Sequence, residues 1–337
     1  YTTIDDGSEY FHTQLYTGTG SELSVTNGAN AGDFKPDWIW IKQRNASTDH
    51  GMFDSTRGVT KNLKTNKTDT ESTEVQSVKT FNTDGFTLGT SGDYNGSSDT
   101  HVAWQWKANG GTTSTDTNGA VDSTVQANTT AGFSIVTWTS AGSTNVGHGL
   151  GVAPNLIIIK ARNAAENWLV GSDEIVWTKR IRLNTTDASA NSSAFGQAPT
   201  SSIFYCSPAN ASYNYVAYCF AEKQGYSKFG SYTGNGNADG PFVYTGFKPA
   251  WLMLRNTVDG EDWLIWDVKR DIANSTGNPM TGRLKANDTI AEVNGNDIDF
   301  LSNGFKIRHT DSDTNLVGQE YPYWAWGDVP FKYNNTF

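Results

Sequence analysis

Histidines, carboxylates and cysteines are the side chains here that could move protons, bind metal or attack a carbon. The five histidines, His12, His50, His101, His148 and His309, are scattered without the spacing with which a metal site collects imidazoles. None has a Gly-x-Ser-x-Gly elbow or a cysteine nucleophile beside it. Each is therefore expected to be a polar surface group on a loop. Cys206 and Cys219 flank a turn near Asn210-Ala211-Ser212. They either face each other across a hairpin or are buried as two small hydrophobes, and in neither case do they make a disulfide framework.

Carboxylates cleave a glycosidic bond when two of them converge across about 5–10 Å. Asp93, Asp99, Asp173, Glu174, Asp259, Glu261 and Asp262 fall in or near expected loops, where a solvated face is the simpler reading. Asp311-Ser312-Asp313-Thr314-Asn315 alternates oxygen ligands as a calcium loop does. Leu316, however, stands where that loop needs glycine, and no glutamate closes it. Gly147-His148-Gly149-Leu150-Gly151 looks like a phosphate loop in composition only. Pro154 and an apolar strand follow it instead of a helix, so it reads as a tight turn into a strand. These residues nominate no catalytic, cofactor or metal site and imply no cofactor; a ligand-binding site stays unassigned.

The elements that would position such groups are β-strands, and they come in three sets. Pro36-Asp37-Trp38-Ile39-Trp40-Ile41-Lys42, Pro154-Asn155-Leu156-Ile157-Ile158-Ile159-Lys160 and Pro249-Ala250-Trp251-Leu252-Met253-Leu254-Arg255 share one design. A proline opens the strand, where its missing N–H does no harm; four apolar residues follow and a basic residue closes it. Each then returns through a second strand, at Met52-Phe53-Asp54, Trp168-Leu169-Val170 and Trp263-Leu264-Ile265-Trp266-Asp267. Further landmarks recur around these hairpins. An aromatic-Thr strand precedes each, at Tyr16, Trp138 and Tyr232, and a leucine follows in a polar setting, at Leu63, Leu183 and Leu284. A strand around an alanine, Ala103, Ala217 or Ala325, closes each unit. Hairpin turns at Asp84-Gly85 and Asn303-Gly304 suit type I′ geometry. The middle unit lacks that turn and has Ile203-Phe204-Tyr205-Cys206 in its place.

The expected fold is all-β, with three tandem related β-sandwich-like units of roughly 100 residues, a size that can hold a core. Residues 1–109 form the first unit with an N-terminal extension, 131–224 the second, and 225–337 the third with a C-terminal tail. The Gly/Ser/Thr-rich stretch 110–130 between the first two is a linker or an extended edge segment. Trp38 to Ile41 and its two counterparts do not alternate apolar with polar, so both faces of those strands need cover. One face meets the unit's own second sheet. The other meets its own loops, the next unit or another chain.

Twelve Trp, 14 Tyr and 16 Phe supply core area despite a mean hydropathy of −0.53. A net charge of −10 argues against a nucleic-acid partner and against anionic membranes, and no run approaches the ~20 apolar residues that span a bilayer. Tyr1 stands where an initiator methionine would, so a processed or trimmed chain is expected, with no targeting signal visible.

Several runs resemble a family of bacteriophage virion proteins common in marine and cyanobacterial phages. They are Thr83-Asp84-Gly85-Phe86-Thr87-Leu88-Gly89, His101-Val102-Ala103-Trp104-Gln105-Trp106-Lys107-Ala108, Gly132-Phe133-Ser134-Ile135-Val136, Gly147 to Pro154, and Gly225-Tyr226-Ser227-Lys228-Phe229-Gly230-Ser231-Tyr232-Thr233-Gly234. The resemblance spans roughly residues 80–310, with the runs in the same order. Gln105 departs from the cysteine often found there. The resemblance implies a tail-fibre-like or structural virion protein and carries over no catalytic residue. The expected function is thus non-enzymatic: assembly and host-surface contact, on the virion or outside the cell, by a self-associating and expectedly threefold protein. Its expected contacts are other virion proteins and a host-surface glycan, with no nucleic acid and no membrane insertion. The alternatives are a capsid decoration or head-fibre protein, a polysaccharide depolymerase, and a carbohydrate-binding module array.

Overall fold

A strand with every side chain buried needs cover on both faces, and the proline-led segments form three such strands. The structure, a computed structural model, describes residues 3–28, 34–142, 144–207, 210–270 and 278–328; the expected C-terminal tail beyond Asp328 lies outside them. The fold is all-β.

The first unit comprises β1 (Phe11–Thr17), β2 (Leu23–Val25), β3 (Trp38–Gln43), β4 (Gly51–Asp54), β5 (Lys61–Asn62), β6 (Ser72–Thr73), β7 (Val78–Phe81), β8 (Phe86–Leu88), the one-turn helix α1 (Gly92–Asn95) and β9 (Thr100–Trp106). The second comprises β10 (Ser114–Asp116), β11 (Ser123–Asn128), β12 (Phe133–Thr139), β13 (Thr144–Gly147), β14 (Leu156–Ala161), β15 (Leu169–Ser172), β16 (Lys179–Arg182), β17 (Ala190–Asn191), β18 (Ile203–Cys206) and β19 (Asn214–Phe220). The third comprises β20 (Ser227–Thr233), β21 (Phe242–Tyr244), β22 (Trp251–Leu254), β23 (Leu264–Asp267), β24 (Met280–Lys285), β25 (Val293–Leu301), β26 (Gly304–Ile307) and β27 (Glu320–Trp326).

One antiparallel order occurs three times, as β1-β9-β3-β4, β12-β19-β14-β15 and β20-β27-β22-β23. The proline-led strands hold the same place in each, pairing Trp38 with Trp106, Leu156 with Phe220 and Trp251 with Trp326. A smaller sheet lies apart from the main one in the first unit (β2-β8-β7) and the second (β13-β18), whereas in the third β25-β26-β21 continues the main sheet through β24. Residues 110–130 supply β10 and β11, which extend the second unit's main sheet beside β12, so they are an edge segment.

The register corrects two landmarks. Ala325 is the counterpart of Gln105 and Cys219; Tyr323 is the counterpart of Ala103 and Ala217. Ile181, not Leu183, corresponds to Leu63 and Leu284, because it pairs with Val170 as they pair with Met52 and Ile265. The hairpin turns also differ from type I′, which needs positive φ at both central residues. Only Gly85 has it, and in the third unit Leu301 pairs with Gly304 across Ser302-Asn303. Glycine is required there for closeness: a Cβ on Gly85 would collide with the Val25 carbonyl, and one on Gly304 with that of Val243.

Alternate side chains of the central strands enter different cores. Ile39 and Ile41, Ile157 and Ile159, and Leu252 and Leu254 each pack within their own unit. Trp38 and Trp40, Leu156 and Ile158, and Trp251 and Met253 turn the other way, into one core shared by all three units. The neighbouring units, not the unit's own loops, therefore cover the second face. Trp326 lies 5.5 Å from Trp106 and 5.2 Å from Phe220, its counterparts in the other units, and such aromatic pairs add about 0.5–1.5 kcal/mol each beyond burial.

Three corresponding joints close the units into a ring. Arg162 of the second unit grips Glu71 of the first through two hydrogen bonds of 2.9 Å, and Arg44 of the first grips Glu292 of the third identically. Backbone bonds Glu71 N–H to Arg162 O and Glu292 N–H to Arg44 O, both 2.7 Å, run beside them; Ser189 N–H to Thr257 O (2.8 Å) is the third. There the ion pair is absent, and Arg255 reaches instead to the Arg182 and Asp187 carbonyls. Each joint also carries a ring N–H: Trp168 to Lys64 O, Trp263 to Arg182 O, and His50 facing Lys285 O at 2.9 Å.

Candidate functional site

Four of the five histidines are buried, contrary to the surface expectation. Each has found a partner that its local sequence does not show. His50 Nδ1 accepts from Trp40 Nε1 at 2.9 Å, which leaves Nε2–H to donate to Lys285 O. Burial first, then the nearby Lys42 charge, pull its pKa down to about 3, so the ring is neutral. His101 stacks on Tyr16 and faces the Asp93 carbonyl, while His148 faces that of Thr200. His12 meets Gln14. Burial lowers the pKa of all three. Cys206 and Cys219 are free and buried, and burial raises both thiols, Cys206 to about 12.

The singled-out carboxylates Asp93, Asp99, Asp173, Glu174, Asp259, Glu261 and Asp262 are exposed or half-buried. Glu261 nevertheless meets Asp313 in a carboxyl–carboxyl hydrogen bond. Burial, that bond and the Asp311 charge raise Asp313 to about 7. Asp297, His309 and Asp311 bring ligand atoms within 4.8 Å of one another. Asp297 is already paired with Arg283 at 2.9 Å, and Asp311 caps its own loop by accepting from Thr314 N–H and Oγ1–H. Gly147 ends β13, and residues 148–151, with positive φ at Gly149 and Gly151, lead from it toward β14.

A cavity missed by sequence reasoning lies in the second unit. Its floor is Ile159, Ala161 and Leu169, its rim is Glu166, Asn167, Arg180, Arg182 and Tyr215, and its volume is about 170 Å³. Strand register explains why it exists. Leu169, Arg180 and Tyr215 hold the places of Gly51, Asn62 and His101 in the first unit. There α1 inserts Tyr94, whose ring packs against Gly51 and Phe53 and whose hydroxyl accepts from Asn62 at 2.7 Å. The connection carrying that plug runs ten residues from Leu88 to Ser98 and eleven in the third unit, from Ile307 to Gly318. The second unit has six, from Cys206 to Ser212. Ser98, Ser212 and Gly318 share the left-handed conformation that ends each connection. Among its described residues the shorter link brings none corresponding to Tyr94.

The rim is polar and under-used. The Arg180 guanidinium has no hydrogen-bond partner among the described residues, and burial, then the Arg182 charge, pull its pKa below the usual value. Arg182 bonds Asp187 at 2.6 Å through Nη1, while its buried Nε has no partner. Asn167 uses its oxygen to accept from Asn184 at 2.8 Å, which leaves its amide N–H groups for the cavity. Tyr215 is pushed up to about 12 by burial, with Cys206 and Glu166 adding, so its hydroxyl stays protonated. Chemically this is a pocket that can bind; it holds no nucleophile–base pair.

The family model for DUF7483, a domain of unknown function, matches residues 6–330. The chain belongs to the DUF7483 family. The match runs through all three units and the ring they close. Searches of curated proteins and of solved structures find no match. Among the described residues of this DUF7483 chain, no helix is long and apolar enough to cross a membrane.

Proposed function

We propose that this chain is a non-enzymatic structural and adhesion component of a bacteriophage particle, of the tail-fibre or receptor-binding type. It acts on the virion, outside the cell. The observation that carries the reading is the closed ring: three β units around one tryptophan-rich core, with joints that use arginines and carboxylates to hold units together. Such a body keeps its shape without a cofactor and turns three separate loop layers outward, as a display scaffold must. The virion resemblance of residues 80–310 supports the same reading.

Other virion proteins and further copies of this chain are its partners, and a host-surface glycan is its external contact. Because threefold closure occurs inside one chain, association with copies uses the outer layers. Copies on one particle then multiply weak surface contacts through effective concentration. Labelling purified particles with antibodies against the chain tests this reading. Label at the tail and blocked adsorption are expected. Label on the head makes it a decoration protein, and absence from washed particles overturns the virion reading and leaves a secreted binding module.

A further inference from the structure

We infer that the second-unit cavity is a binding site for a single acidic pyranose ring, a uronate-type sugar, seated with its carboxylate on Arg180. The three units supply the comparison. The position of Arg180 is Asn62 in the first unit and Arg283 in the third. The Asn62 amide N–H groups are taken up within the unit, by the Tyr94 hydroxyl and by Glu74 at 2.9 Å. Arg283 has a carboxylate partner within its own unit, Asp297 at 2.9 Å from Nη1, with Asp313 close enough to act on it by charge. Asp297 lies on β25, beside β24; the second unit's strand in that place, β17, ends at Asn191 and carries no carboxylate. Arg180 therefore keeps the guanidinium but lacks the carboxylate that its counterpart binds. A planar fork of five donors matches an incoming carboxylate bidentately.

Ring size follows from the first unit, where one phenol side chain fills the corresponding space. A six-membered ring fits; a drug-sized ligand does not, since those occupy about 300–1,000 Å³. The rim selects the kind of ring. A phenol brings one hydroxyl and would leave the Arg180 guanidinium, the Arg182 Nε–H and the Asn167 amide short of partners. A pyranose brings hydroxyls around its edge, and each can donate to Glu166 or accept from Asn167 and Arg182. Its C–H face rests on Leu169 and Ile159, and Tyr215 adds an edge hydroxyl.

This inference goes beyond the virion reading and stands or falls separately, because binding is read on the isolated full-length chain. The probes are methyl β-D-glucuronide, methyl β-D-glucoside and 4-methylphenol, titrated by ligand-observed NMR and calorimetry. Saturable binding of the glucuronide at least tenfold tighter than the glucoside is expected. Arg180→Asn, which installs the first unit's residue, should weaken glucuronide binding tenfold or more without moving the melting temperature. Arg180→Lys should recover part of it. No glucuronide binding at 10 mM overturns the inference. Equal binding of glucuronide and glucoside removes the role of Arg180. Tighter binding of 4-methylphenol replaces the sugar with a partner protein's aromatic side chain and likewise overturns it.

Discussion

Arg57 and Asp54 have completely buried side chains and form an ion pair, as do Arg270 and Asp267 at the same place in the third unit. Arg57 also holds Glu71 at 2.9 Å and the Met52 carbonyl, while Tyr218 of the second unit donates to Asp54 at 2.8 Å. In the second unit the same two positions are Ser172 and Ile175, both buried. The fold thus contains both an ionic and an uncharged solution for one site. Arg57→Ile alone leaves the Asp54 carboxylate buried without its cation, which costs about 3–5 kcal/mol. At about 2.1 cal/mol/K per residue, unfolding 337 residues carries about 0.7 kcal/mol/K, so the single variant should melt about 6 °C lower. Adding Asp54→Ser removes both charges together and reproduces the second unit's pair, while Glu71 keeps Arg162. The double variant should lie within about 2 °C of the parent, a coupling of more than about 2 kcal/mol. Calorimetric melts of the full chain at pH 7 measure this. A double variant melting as low as Arg57→Ile, or a single variant within 2 °C of the parent, would refute the reasoning.

Acidification should loosen the first-to-third joint. His50 has its folded pKa near 3 against about 6.5 unfolded, so it favours the fold fully above pH 6.5, and that contribution is lost as pH falls toward 3, by about 1.4 kcal/mol per unit. Trp40→Met with His50→Trp, which imports the third unit's Met253 and Trp263, should flatten melting temperature against pH between 6.5 and 4; an unchanged slope sinks the assignment. Asp49, held down to about 2 against burial by bonds from Lys67, Asn66 and Lys64, favours the fold above pH 3.8 and adds a second loss below it, so Asp49→Asn should remove that lower step in the same melts. Cys206 and Cys219 should ignore dithiobis-nitrobenzoate in native buffer and release two equivalents in guanidinium, and any fast native reaction contradicts their burial. Trp104→Phe deprives Asp267 of a 2.9 Å donor, whereas Trp106 Nε1 has no acceptor among the described residues and its counterpart is already Phe220. Denaturant melts should therefore rank Trp104→Phe as the costlier by about 1–2 kcal/mol.

The sequence showed the central strands and their double burial because four consecutive apolar residues admit no solvent-facing side. It could not align the landmarks fully. A strand shifted by two residues keeps every side chain on its original face, so Leu183 looked as good as Ile181, and Ala325 as good as Tyr323. The histidines misled because their partners are remote: His50 meets a carbonyl 235 residues away, and no local pattern encodes that contact. The cavity left one trace, the short link between Cys206 and Ser212, which has meaning only once the corresponding links are known to carry a plug.

Why the second unit can lose that plug follows from how the energy is distributed. Each unit is held from its inner face by the shared core and by two joints, and those elements recur three times with conservative exchanges: indole for imidazole, or Thr257 and Ser189 for an arginine and a glutamate. The outer layers differ far more, as a three-stranded sheet over Tyr94, the outer end of an eight-stranded sheet beside an acid cluster, and two strands beside an open cavity. Removing an outer plug costs the stability of one local patch, whereas changing an inner residue strains three units together. Chemistry can therefore diverge on the outside of this ring at low cost, and a binding function should be sought where the three copies disagree most, at Arg180.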